Sequence, residues 1–153
     1  MNHIEMMRLA EGQATLSVCK RAQVGAVIEW ADGTYSFGYN QHYDDPQACC
    51  EGLDGRTLPD VIHAERDAIE WRDEPCKQVG SVLYVTRQPC VHCAQLITAA
   101  GIKSVYYRDA DDKDWGLRWL AWHGVAVDSG WIQGQIQQSW AEHSGQSGVV
   151  SHA

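Results

Sequence analysis

The sequence predicts a three-layer α/β/α sandwich around a central mixed five-stranded sheet. Three observations predict it. Helical and strand patterns alternate along the chain in the order α-β-β-α-β-α-β-α-β. The 153 residues suffice for one domain with a sizeable core. The balance of 44% hydrophobic and 21% charged residues is ordinary for a globular protein.

Residues 4–20 carry Met6, Leu9, Ala10 and Leu16 at helical spacing, which predicts a helix with one apolar face, weakened at Gly12. Gln23 to Trp30 is rich in β-branched residues. The turn signal Ala31-Asp32-Gly33 follows, then Thr34 to Tyr39, and together these predict a β-hairpin. Residues 40–60, with Asp44-Asp45-Pro46, two glycines and Pro59, read as loop. Val61 to Trp71 has helical spacing at Ile62, Ala64, Ala68 and Ile69. Ser81 to Thr86 is a buried strand. Pro89 opens a helix that runs through Ala100 and stops at Gly101. Ile102 to Tyr107 is a strand, Asp114 to His123 a helix, and Val125 to Val127 a short strand. Trp115, Trp119 and Trp122 fall on one helical face, which either packs into the core or forms a subunit interface. Ile132, Ile136 and Trp140 repeat that pattern. Residues 1–143 are expected to form a single domain, and the Gly/Ser-rich residues 144–153 a disordered C-terminal tail.

Composition excludes some classes of function. The formal net charge of −8 repels phosphate backbones, so a long nucleic acid is disfavoured while a single nucleotide is not. No apolar run approaches the roughly 20 residues that span a bilayer, and residues 1–10 do not read as a secretory signal. Six cysteines in a chain without an export signal point to a reducing compartment and to metal binding, hence a cytoplasmic protein.

The chemistry is carried by His63-Ala64-Glu65 and Pro89-Cys90-Val91-His92-Cys93. Cys90 and Cys93 sit at a helix start, where the dipole and exposed N–H groups favour thiolates. With His63 they make three ligands, which leaves the fourth tetrahedral position of a zinc ion for water. Cys-x-x-Cys alone is equally a redox pair or half of a structural zinc site. A structural module, however, would close the fourth position with another residue. Glu65 is left free to carry protons between water, a ring nitrogen and a departing amine. His92 does not share the face of Cys90 and Cys93 and is set aside as a surface residue.

His-x-Glu followed by Pro-Cys-x-x-Cys is the pattern of zinc-dependent deaminases. The chain resembles the cytidine and deoxycytidylate deaminase superfamily, and most closely the deoxycytidylate (dCMP) deaminases, including small phage-type members. The resemblance runs from about Leu16 to Val127. It is carried by residues 19–28, by Gly38-Tyr39-Asn40, by residues 62–69, and by residues 83–103 with their Gly101-Ile102-Lys103 end. It implies zinc-dependent hydrolysis of dCMP to dUMP with release of ammonia, supplying dUMP for thymidylate synthesis, in the host cytoplasm if phage-encoded. Alternatives are the same chemistry on a 5-substituted dCMP or another cytosine nucleotide or nucleoside, and, remotely, a non-enzymatic structural zinc module. It also implies a homo-oligomer, commonly a hexamer. Asn40 is expected to bond the sugar, or else to close its strand, and the Ala64 backbone to contact the pyrimidine carbonyl. Lys20, Arg21 and Arg108 are candidates for the 5′-phosphate, or, for Lys20 and Arg21, a solvated basic pair.

The sequence departs from the resembled pattern at Gln41, where many members begin a Gly-x-Pro effector loop, and at Asp67, where many have Asn. Control by dCTP and dTTP is therefore in doubt. Cys19, Cys49 and Cys50 are candidates for a second, structural zinc, though a fourth ligand is missing and free thiols are the simpler reading. Cys76 shows no partner.

Overall fold

The computed structural model describes residues 2–71 and 77–129. The expected layers are present. A five-stranded sheet has the order β2(Tyr35–Tyr39), β1(Gly25–Glu29), β5(Ser81–Arg87), β6(Ile102–Asp109), β7(Ala126–Asp128). β1 runs antiparallel to both β2 and β5, whereas β5, β6 and β7 are parallel. α1(His3–Ala14) covers one face, and α2(Ala64–Glu70), α3(Val91–Ala99) and α4(Trp115–Trp122) cover the other.

Strand alternation divides the core in two. Ala26, Ile28, Leu83, Val85 and Val105 point to the three-helix side, where Ala64, Ala68, Ala94, Ile97 and Leu120 meet them. Val27 and Tyr84 point the other way, onto Met6, Met7 and Ala10 of α1. Asn2 and Glu5 start α1 with a reciprocal capping box. The helix ends at Ala14 rather than reaching residue 20. Beyond it Ser17 turns inward, and its hydroxyl donates to the Asn40 carbonyl (2.8 Å) at the end of β2.

Two further departures from the sequence reading bear on the site. Residues 40–60 are not all loop, since β3(Gln41–His42) pairs with β4(Val61–Ile62) and Glu51 bridges Thr57. The helix expected from Val61 begins only at Ala64, because Val61 and Ile62 are held in that pairing. The expected helix from Pro89 likewise begins at Val91.

Glycine allows α2 and α4 to sit where they do. A Cβ on Gly38 of β2 would lie 2.4 Å from the Ala64 carbonyl oxygen, and one on Gly116 of α4 would lie 2.1 Å from the Pro89 carbonyl oxygen. The approach at Gly116 also fixes the rotation of α4. Its inward face is Gly116 and Leu120, with Trp119 packed at the core's edge. Trp115 and Trp122 are left 63% and 88% exposed, so core packing holds for Trp119 and not for its two companions. Cys76 and the Ile132, Ile136, Trp140 pattern lie outside the described residues, as does the 144–153 tail.

Candidate active site

The C-terminal ends of β2, β5 and β6 and the N-terminal end of β1 share one edge of the sheet. In open α/β sheets such an edge is where ligands bind. Here the chain leaves β5 into Gln88-Pro89-Cys90 and leaves β4 into His63. His63 and Cys90 occupy the N-cap positions of α2 and α3, and Cys93 lies one turn into α3.

The His63 Nδ1 is 3.5 Å from the Cys90 Sγ and 3.3 Å from the Cys93 Sγ. A tetrahedral zinc with bonds of about 2.0 Å to nitrogen and about 2.3 Å to sulfur requires a nitrogen–sulfur separation of about 3.5 Å. The three ligand atoms fit that requirement, and together they form a cluster within 4.8 Å of one another. Among the described residues no other group of three histidine, cysteine or acidic side chains is arranged to hold a metal.

The electrostatics favour one thiolate in the cluster, on Cys90. A thiolate at Cys90 accepts hydrogen bonds from Cys93 and from His63, which hold its pKa down to about 3 against the opposing effect of burial. The shared bond and burial keep the proton on Cys93, whose pKa is raised. His63 is raised chiefly by its bond to Cys90. Glu65, on the first turn of α2, is only 4% exposed, and burial lifts its pKa to about 7. A carboxyl with that pKa takes up and gives back protons near neutrality. His92 is exposed on the surface, as its place in the helix predicts.

A cleft of about 530 Å³ opens onto this cluster. Asn40, Ala64 and Arg21 line it. The Asn40 amide is already engaged, accepting from the Val24 N–H (2.8 Å) and donating to the Ala22 carbonyl (2.7 Å). It therefore does close its strand, while one donor and one acceptor position remain. Two of the candidate residues, Lys20 and Arg108, are not among those that line it. Lys20 does not line the cleft: its side chain is exposed, and its backbone N–H is bound by the Glu51 carboxylate. Arg108 is drawn away from the cleft into ion pairs with Glu11 of α1 and with Asp109 (2.8 Å each). β6 alternation puts it on the α1 face, beside Tyr106 of the smaller core cluster rather than Val105 of the larger.

Both the candidate second zinc at Cys19, Cys49 and Cys50 and the free-thiol reading of Cys19 and Cys50 are corrected by a disulfide between Cys19 and Cys50. Bridged sulfurs are not thiolates and do not make a zinc ligand set. The free-thiol reading holds for Cys49, which is exposed. The bridge ties residues 17–22 to the 49–57 loop, and Glu51 reinforces it by accepting from the Lys20 and Arg21 N–H groups. The two departures at Gln41 and Asp67 meet: the Gln41 amide donates to the Asp67 carboxylate (2.8 Å), which also accepts from the Tyr39 N–H (3.1 Å).

Sequence reasoning missed the wall formed by Arg87, Gln88, Asp111, Lys113 and Trp115. The available signal was position. Arg87 and Gln88 immediately follow a parallel strand and precede the cysteine motif, and residues 110–114 join β6 to α4 at the same edge.

Comparison with known proteins agrees with this geometry. Residues 1–109 match the family described as cytidine and deoxycytidylate deaminase zinc-binding region. A deoxycytidylate deaminase of Mycobacterium phage D29 is 33% identical over 113 residues, covering 65% of this chain and 88% of the relative. The crystal structure of the dCMP deaminase from cyanophage S-TIM5 in complex with dCMP and dUMP superposes with a TM-score of 0.72. It has 36% identity and covers 80% of this chain and 92% of that one. The apo form of the same cyanophage enzyme gives a TM-score of 0.67 at 34% identity, covering 84% and 99%.

Proposed function

The chain belongs to the cytidine and deoxycytidylate deaminase family, and from that premise we propose that it hydrolyses the exocyclic amine of dCMP, giving dUMP and ammonia. The observation that carries this reading is a three-ligand zinc site beside a buried carboxyl of pKa about 7, in one cleft. The likeness to a cyanophage enzyme crystallised with dCMP and dUMP supports the choice of nucleotide.

Zinc held by His63, Cys90 and Cys93 supplies a Lewis acid and a water whose pKa falls to about 7. Glu65 takes a proton from the attacking water and passes it to the ring nitrogen next to the reacting carbon. It next takes the remaining proton from the hydroxyl that the water has left on the carbon and delivers it to the amine; the C–N bond breaks, ammonia leaves, and the water oxygen remains as the new carbonyl. The first turn of α2 offers the Ala64 backbone to the pyrimidine carbonyl, and the remaining positions of the Asn40 amide receive the sugar. Arg21, on the disulfide-tied wall, contacts the 5′-phosphate, where a guanidinium binds oxygens in a bidentate way.

Residues 1–143 act as a single catalytic domain in this reading. We place the protein in the cytoplasm, with its nucleotide pool, and read the Cys19–Cys50 bond as a cross-link between cleft loops rather than a mark of export. No helix among the described residues is long and apolar enough to cross a membrane. The exposed Trp115 and Trp122 support a homo-oligomer. Incubation of the zinc-loaded protein with dCMP and, separately, deoxycytidine tests the reading. Release of ammonia with dUMP is expected, with dCMP preferred; no turnover of any cytosine nucleotide with zinc bound would contradict it.

A further inference from the structure

We infer that Gln88 is a positioning residue that sets the far wall of the cleft against the zinc-ligand turn and thereby governs nucleotide affinity. The inference rests on the cleft being the nucleotide site proposed above. Gln88 stands two residues before Cys90, and it is one of few polar side chains buried among the described residues, at 8% exposure. Both ends of its amide are used. Oε1 accepts from the Asp111 N–H (2.8 Å), and Nε2 donates to the Lys113 carbonyl. Only one orientation of the amide satisfies a donor at one end and an acceptor at the other, so its direction is fixed by its partners. Its own N–H adds a third tie, to the Asp109 carbonyl (2.9 Å).

One side chain therefore fastens the connection between β6 and α4 to the turn that carries Cys90. That connection brings Asp111, Lys113 and Trp115 into the cleft. Its other supports differ in kind. The Arg87–Asp111 pair (2.7 Å) is exposed at both ends, and exposed pairs contribute little. Gly116 fixes where α4 begins, through its approach to the Pro89 carbonyl, but not the path of residues 110–114 before it. Gln88 alone, among these contacts, combines burial with two side-chain bonds to that path. Losing it leaves the Lys113 carbonyl and the Asp111 N–H to find new partners, which they do by moving. The ligands sit at the N-caps of α2 and α3 and in the first turn of α3, and none of them is a partner in those two bonds. The expected consequence is weaker binding with chemistry preserved.

Two variants test this in the zinc-loaded full chain. Gln88→Met keeps volume and removes both side-chain bonds; Gln88→Glu keeps the acceptor for the Asp111 N–H and removes the donor to Lys113. KM for dCMP is expected to rise about tenfold in Q88M and less in Q88E. In both, kcat should stay within about twofold and zinc content should not change. Hydrogen exchange of the segment 110–115 should quicken in Q88M, with the Asp111 amide staying protected in Q88E. A fall in kcat or zinc content at unchanged KM would overturn the inference, because Gln88 would then serve the ligand turn. So would unchanged exchange in Q88M, an outcome that can be read even if dCMP proves not to be the substrate. Failure of the wild type on every cytosine nucleotide, with exchange quickened as expected, would sink the proposed substrate and leave the wall assignment standing.

Discussion

The zinc cluster and the cleft wall around it are built on different principles. His63, Glu65, Cys90 and Cys93 ride on the first turns of two helices, and those helices are placed by backbone packing, with Gly38 and Gly116 admitting contacts that no side chain would allow. The wall is made of loops and of the element ends they join. A disulfide, the Glu51 carboxylate and the Gln88 amide tie those loops to the frame. Chemistry is thus fixed by close packing and short sequence spacing, whereas substrate recognition depends on individual long-range bonds. Perturbing the backbone packing of the first region should cost folding and metal binding together. Perturbing the second should cost affinity alone.

The largest effect is expected at Gly116. Gly116→Ala places a methyl against backbone atoms of Pro89 and Cys90, which cannot yield without moving the ligand turn. A loss of about 3 kcal/mol in urea unfolding is expected, with weakened zinc retention. The control is Gly12→Ala on α1, where nothing lies within 4 Å; it should stabilise by about 0.5–1 kcal/mol. Equal effects at the two glycines would erase the distinction between a packed site and its surroundings.

Glu65 is expected to show a comparable cost of a different origin. Burial raises its carboxyl from 4.5 to about 7, so between those values the folded state binds more protons than the unfolded one. Stability conferred through this group is complete below the lower value and is lost as pH rises through the upper one. In the metal-free protein, Glu65→Gln should match the wild type near pH 4.5 and exceed it by about 3 kcal/mol at pH 8. Denaturant midpoints at the two pH values check this, and a constant difference would show that Glu65 is not desolvated.

The smallest effect belongs to the wall. Arg21→Ala should raise KM for dCMP about tenfold, leave kcat and stability nearly unchanged, and scarcely alter the kinetics of deoxycytidine. A drop in kcat instead would place Arg21 in the chemistry rather than at the phosphate.

The same division explains what could be read in advance. The layer order, the hairpin and the zinc ligands follow from periodicity and from residues close together in sequence. The N-cap positions of His63 and Cys90 were visible only as helix beginnings, because the two-residue β3–β4 pairing that delays α2 has no pattern of its own. From sequence Arg108 reads as a phosphate ligand because charge is legible and partner is not; Glu11, 97 residues away, draws its guanidinium to the α1 face. The Cys19–Cys50 bond and the Gln88 clamp join positions 31 and 23–25 residues apart, and no local spacing encodes them. The tryptophan face was legible as a face, but the side it turns to is set by Gly116.

Three residues, His63, Cys90 and Cys93, are placed to hold zinc while Glu65 is left to carry the proton. Wild type and Glu65→Gln, each loaded with zinc and assayed with dCMP, test it most directly. One equivalent of zinc at the cluster is expected in both proteins, with kcat reduced at least about 1,000-fold in the variant. Near wild-type turnover by Glu65→Gln, with zinc retained, would contradict it.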